Sequence, residues 1–141
     1  MNSLKHINSL TQQAYNLAAQ KYHDLFYNEM NEKEYDRKLI DTYAAKFNNN
    51  PLICDAGCGP SGHIGRYLFD KGIKVIGVDI SEKCIELAQL NNPDMQFECA
   101  DIGNMPFENN SFDGLISFYS IINTPKIYVN KIFTEFRRVL K

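Results

Sequence analysis

Several features are missing from this sequence, and each absence narrows what the chain does. Fifteen Lys and Arg stand against seventeen Asp and Glu, a net charge of −2. With no basic excess, bulk electrostatics do not favour nucleic acid as a partner. No apolar run approaches the ~20 residues needed to span a bilayer. The first residues lack a signal peptide's apolar centre, because Leu4, Ile7 and Leu10 stand isolated among polar neighbours. The four cysteines (Cys54, Cys58, Cys84 and Cys99) form no CxxC pair. No His/Cys cluster has ligand spacing, so the thiols are expected to be structural, in a reducing cytoplasm, with no metal site. There is no internal repeat, low-complexity tract or interdomain linker. The chain is therefore predicted to be a single domain over 1–141, with 1–48 as an N-terminal helical cap.

What is present is an alternation of helical and extended patterns. Ser9 and Gln12 have capping-box spacing, which predicts a helix over 10–27. Asn31 and Glu34 repeat that signal, and Tyr35, Leu39, Ile40, Tyr43, Ala44 and Phe47 then share one helical face. The run Asn48-Asn49-Asn50-Pro51 breaks the helix and hands over to a first strand, 52–55. A helix over 62–71 stopped at Gly72, a strand over 74–79 and a helix over 82–91 capped by Ser81 come next. Strands over 95–99 and 112–117 and a last helix over 127–140 complete the pattern. That helix has Val129, Ile132, Phe133, Phe136, Val139 and Leu140 at offsets of three and four. Strands separated by helices imply an α/β fold with a parallel sheet. Ligands in such sheets bind at the carboxyl ends of the strands, where the N-terminal helices could cover them.

The most informative stretch is Asp55-Ala56-Gly57-Cys58-Gly59-Pro60-Ser61-Gly62, a glycine-rich turn after an apolar strand. Glycines at 57, 59 and 62 match G-x-G-x-x-G, which lets a ligand approach the main chain. Dinucleotide enzymes share that spacing. Asp55 tilts the balance, because a carboxylate at this strand end suits ammonium and sulfonium charge and would repel a pyrophosphate. Asp79 ends the second strand, where a carboxylate can take both hydroxyls of a ribose. Alone it reads equally as a capping residue ahead of Ser81, and the glycine turn one βα unit earlier favours the ribose. Asp101 ends the third strand and is positioned to accept from an exocyclic amine, with Ile80 and Ile102 sandwiching the ring.

These residues resemble the motifs of the class I S-adenosylmethionine-dependent methyltransferases of small-molecule type. The run from Ile53 to Gly62 is similar to their first motif, Val78-Asp79-Ile80-Ser81 to their ribose motif, and Ala100-Asp101-Ile102 to their adenine motif. Met105-Pro106-Phe107, Ser111-Phe112-Asp113 and the helix Glu135-Phe136-Arg137-Arg138-Val139-Leu140-Lys141 continue the likeness. The resemblance implies a Rossmann-like sheet of about four strands in the order 3-2-1-4, with flanking helices and two N-terminal helices. It implies S-adenosylmethionine as cofactor: Gly57 and Gly59, with Cys58 and Gly62 in the same turn, around the methionine part, Asp79 at the ribose, and Asp101 and Ile102 at the adenine. Phe118 would lie near the sulfonium. Tyr15 and Tyr22, seven apart on one helical face, would close over the cofactor; a core-facing aromatic stripe is the other reading of the pair. The family's chain normally continues into strands 5–7, which are expected to be absent from this one.

The reaction implied is in-line methyl transfer to a small-molecule acceptor. Candidate bases are thin: His23 and Tyr15 on the first helix, and His63 after the glycine turn, where a helix dipole disfavours protonation. Tyr119 and Asn123 could orient an acceptor. An exposed fourth strand, together with the last helix, predicts pairing with a second copy. Two other readings stay open, a module that binds the cofactor without chemistry and an NAD-type oxidoreductase.

Overall fold

The computed structural model describes residues 2–122 and 124–141. Strand β1 (Leu52–Ala56) runs down the middle of a parallel sheet, between β2 (Lys74–Asp79) and β4 (Gly114–Ile116), with β3 (Gln96–Cys99) outside β2. The order is β3-β2-β1-β4, as the motifs imply. In register, Asp55 pairs with Gly77 on one side and Ile116 on the other.

The pleat of β1 divides the core in two. On one face Ile53 joins Val75 of β2, Ile64 and Leu68 of α4 (His63–Phe69) and Ile40 of α3 (Glu34–Ala44). On the other, Cys54 and Ala56 join Val78 and the inner side of α6 (Lys126–Val139), through Ile132, Phe136 and Val139. Phe133 of α6 stays exposed. At about 100° per residue it points away from the 132–136–139 stripe, so an offset of three from one core residue was not enough. Glu135 is buried, accepts from the Met105 amide at 2.7 Å and pairs with Arg138. This ties the loop before β4 to α6.

Local signals placed β2 and α5 (Glu82–Asn91) correctly, and the Ser81 hydroxyl caps α5 by accepting from the Cys84 amide at 3.1 Å. Three boundaries differ from expectation. Helix α1 spans Asn2–Phe26, so Ser9 lies inside it rather than capping it. The earlier turns are held by tertiary contact, because Asn8 reaches Asp101 across the cleft. The helix expected after Asn31 is α3, which begins at Glu34 but ends at Ala44, short of Phe47. A separate short helix, α2 (Glu29–Glu32), precedes it across a break at Lys33 with φ −97° and ψ 77°. The break lets Met30 and Ile40 enter the same core. Strand β4 is three residues long rather than six, since Phe112 bridges Leu140 instead of continuing the ladder to β1.

Strand β4 is one of the two outer strands of the sheet, and its edge is only partly open. The Phe112 amide donates to the Val139 carbonyl at 2.9 Å, and the Tyr43 hydroxyl donates to the Leu115 carbonyl at 2.9 Å. Cys54, Cys58 and Cys84 are buried thiols and Cys99 is exposed. No helix among the described residues is long and apolar enough to cross a membrane.

Candidate functional site

At the carboxyl ends of the strands lies a cleft of about 750 Å³, within the range of small-molecule sites. Its floor is built by four successive strand-end loops and its roof by α1. The loop after β1 turns sharply because Gly57, Gly59 and Gly62 hold φ of 83°, 66° and 56°, backbone that favours glycine. The Gly57 and Cys58 amides both donate to the Val78 carbonyl, at 2.7 and 3.0 Å, which clips the loop to β2. At Gly57 a Cβ would sit 2.3 Å from that of Ser120, so the loop after β4 closes directly on it. At Gly59 a Cβ would meet nothing within 4 Å, and the open space beside its backbone is the cleft.

Asp79 lines this cleft and also shapes it. Its Oδ2 accepts from the Gly59 amide and its Oδ1 from the Ser81 amide, each at 3.0 Å. A carboxylate offers about four lone-pair sites, so capacity remains for hydroxyl donors. Enclosure of the group raises its pKa above the ordinary carboxylate value against the pull of those amides. Asp101 sits at the end of β3, its Oδ1 accepting from the Gly103 amide at 2.8 Å and its Oδ2 from the Asn8 amide at 2.7 Å. Ile80 and Ile102 line the wall between these carboxylates.

After β4 come Phe118, Tyr119 and Ser120. Tyr119 has φ of 56°, an uncommon strain for a non-glycine residue and one that clusters at functional sites. Ser117 and Ser120 hydroxyls donate to the Ala56 carbonyl at 3.1 and 2.9 Å, locking this loop to β1. The Tyr119 hydroxyl donates to Asp36 at 3.2 Å, and Lys33 lies 4.6 Å above the Tyr119 ring. Glu29 pairs with Lys33 through one oxygen and with His63 Nε2 at 2.8 Å through the other. From α1, Tyr15 and Tyr22 pack edge to face at 5.9 Å and both line the cleft.

Gly57, Cys58, Gly59, Asp79, Ile80, Asp101, Ile102, Phe118, Tyr15 and Tyr22 therefore meet around one cavity. Three expected residues do not line it. Asp55 shares the pleat face of Ile53, beneath α4, where it is 2% exposed and accepts from the Gly65 amide at 3.0 Å. Its carboxylate faces the packed interior, where burial raises the pKa to about 7. The electrostatic argument from Asp55 to a cationic ligand thus passes instead to Asp79 and Asp101. Gly62 packs against Phe97 and Asn92 and serves the turn. His23 does not line the cleft itself but bonds the Ser61 hydroxyl, which does, at 3.0 Å. Asn123 lies outside the described residues.

His63 lines the cleft, yet its Nε2 is taken by Glu29 and its Nδ1 is buried with no hydrogen-bond partner. Burial lowers its pKa despite the neighbouring Glu29, which favours the neutral ring. Burial likewise pushes the Cys58 thiol well above its ordinary value, which favours the neutral thiol. Asn8, Glu29 and Lys33 were missed in the sequence, because nothing local tells a helix-surface polar residue that it will face a cavity.

The family model described as "Methyltransferase domain" matches residues 53–141. A 24-methylenesterol C-methyltransferase of Arabidopsis thaliana is 32% identical over 95 residues, covering 63% of this chain and 26% of that protein. Among solved structures, the PH0226 protein of Pyrococcus horikoshii superposes with a TM-score of 0.69 at 30% identity, covering 86% of this chain and 61% of the other. The magnesium protoporphyrin IX methyltransferase of Synechocystis, solved with bound S-adenosylmethionine, shares the fold with a TM-score of 0.75 at 19% identity, covering 95% and 72%. The chain spans 26% to 30% of the length of the first curated relatives it matches.

Proposed function

This chain belongs to the class I S-adenosylmethionine-dependent methyltransferases, and we propose that its cleft holds S-adenosylmethionine for in-line methyl transfer to a small-molecule acceptor. The observation that carries this reading is the open backbone at Gly59 facing Asp79 and Asp101 across one cavity. A donor-hungry, electronegative slot beside an uncovered main chain suits hydroxyls, an amine and positive charge. When bound, the cofactor supplies an already activated methyl group.

The chain's own residues then have three tasks. Asp79 holds the ribose hydroxyls while keeping Gly59 in place, so one carboxylate couples loop shape to ligand position. Phe118, Tyr22 and Phe26 provide an apolar wall near the methyl end, where exclusion of water and alignment supply most of the rate. Tyr119, Glu29 and Lys33 border the same end with polar groups that can orient an acceptor. Glu29 occupies Nε2 of His63 and Nδ1 is buried, so in this arrangement the ring presents no lone pair to the cavity. As part of the same reading, a second copy would pair along the β4 edge beside Phe133, and sedimentation at micromolar concentration reads this directly.

The test is calorimetry with S-adenosylhomocysteine on wild type and Asp79→Ala, followed by product formation across a panel of small acceptors. Loss of a charge-assisted pair costs about 1.5–3 kcal/mol, a weakening of roughly 10- to 150-fold. Folded wild-type protein that gives no heat with either form of the cofactor overturns the reading. Binding without any demethylated product on the panel leaves a cofactor-binding module in its place.

A further inference from the structure

Helix α1 crosses the strand ends as a strap. Asn8, Asn16 and His23, spaced eight and seven residues apart, fall on one stripe of the helix about 22 Å long. From the N-terminal end they reach the loops after β3, β2 and β1 in turn, which is the spatial order of the sheet. Asn8 donates to Asp101 at 2.7 Å. Asn16 accepts from the Ser81 hydroxyl at 2.6 Å and the Lys83 amide at 3.2 Å. His23 closes on Ser61.

These polar latches matter because α1, which also packs along α5, puts few fully buried apolar side chains onto the loops beneath it. Among the described side chains of α1 only Ala19 is buried, while Leu10, Leu17 and Leu25 are exposed. Segments with few buried apolar contacts open at low free-energy cost. The two ends also differ. Toward its C-terminus α1 leads into α2 and α3, whose Met30 and Ile40 belong to the core. Toward its N-terminus, among the described residues, Asn8 to Asp101 is the last hydrogen bond between helix and sheet.

The group at that last latch is a planar amine on an sp² carbon, the same donor that an adenine ring presents through its exocyclic nitrogen. We propose that the Asn8 amide and the adenine amine are alternative donors to Asp101, so that the first turns of α1 form a gate exchanged for the cofactor. This rests on the reading of Asp101 as the adenine acceptor. The Gly103 amide keeps Oδ1, and Lys131 stands 3.9 Å from Oδ2, so the contested position is the one Asn8 holds. The observed affinity is then the intrinsic affinity reduced by the fraction of protein with the latch released.

The experiment is a double-mutant cycle by calorimetry, with S-adenosylhomocysteine and its inosine counterpart, in which a carbonyl replaces the amine. Asn8→Ala is expected to tighten S-adenosylhomocysteine binding by about 2- to 10-fold, the worth of one hydrogen bond. In an Asp101→Ala background the same change is expected to have no effect, since Asn8 acts through Asp101. Weaker or unchanged binding in Asn8→Ala overturns the exchange, as does tightening that persists without Asp101. The adenine reading has its own readout. Wild type should prefer the adenosine form by at least about 10-fold, and Asp101→Ala should erase that preference. A preference that survives Asp101→Ala removes the adenine reading, and the exchange with it.

Discussion

Replacing Gly57 with alanine is expected to abolish measurable S-adenosylhomocysteine binding and to lower stability by about 2–5 kcal/mol. Two costs combine. The backbone at φ 83° resists a Cβ, and that Cβ would lie 2.3 Å from the Ser120 Cβ and 2.8 Å from its hydroxyl. Ser120 is not free to retreat, because it donates to the Ala56 carbonyl. Relief must therefore come from displacing the loop that carries Phe118 and Tyr119. Gly72→Ala separates the two costs: φ there is also 83°, but nothing lies within 4 Å. That variant is expected to lose about 1 kcal/mol and to bind normally. Adding Ser120→Gly to Gly57→Ala is expected to restore much of the binding. Calorimetry and urea unfolding on the three variants decide it, and wild-type affinity in Gly57→Ala sinks the close-approach argument.

Asp55 is the second large effect, and it appears in stability rather than in binding. Burial raises its pKa from 3.8 to about 7 in the folded protein. Between those values the folded state holds a proton that the unfolded state has released, so stability falls as pH rises from about 4 to about 7 and levels off above. The full span corresponds to about 4 kcal/mol at most. Asp79, also raised by burial, adds to the same slope. His63 opposes it below about 6.5, since its lowered pKa makes the folded state bind fewer protons there. Asp41, Asp113 and Glu135 are shifted down, so their losses come at the acid end of the range. Asn in place of Asp55 keeps an acceptor for the Gly65 amide without the buried charge. Asp55→Asn is expected to flatten the profile between pH 4 and 7 and to exceed wild type in stability at pH 8. A variant less stable than wild type at pH 8 would mean that the charged hydrogen bond to Gly65 outweighs the cost of burial.

The boundaries of β2 and α5 were legible because their determinants are local. A short apolar strand ending in Asp79 runs into Ser81, whose hydroxyl caps the next helix within three residues. The start of α1 was not legible, although Ser9 and Gln12 made a sound capping signal. The eight residues of helix that precede Leu10 are tied down by a contact from Asn8 to Asp101, 93 positions away. The shortness of β4 has a similar origin, in the pairing of Phe112 with Leu140.

What the amino-acid order settled alone was the succession of strands and helices, the glycine turn and the carboxylates at consecutive strand ends, all of which follow from backbone preferences and side-chain periodicity over a few residues. Which carboxylate faces the cavity was decided only when the sheet was packed. Asp55 and Asp79 look alike in the sequence, but the pleat turns Asp55 under α4 and leaves Asp79 at the cleft. The roof was likewise a tertiary outcome: Asn8, Asn16 and His23 acquire their roles because α1 is laid across three loops. Side-chain direction at a strand end and docking of a polar helix depend on neighbours distant in sequence, and short-range patterns carry no record of them.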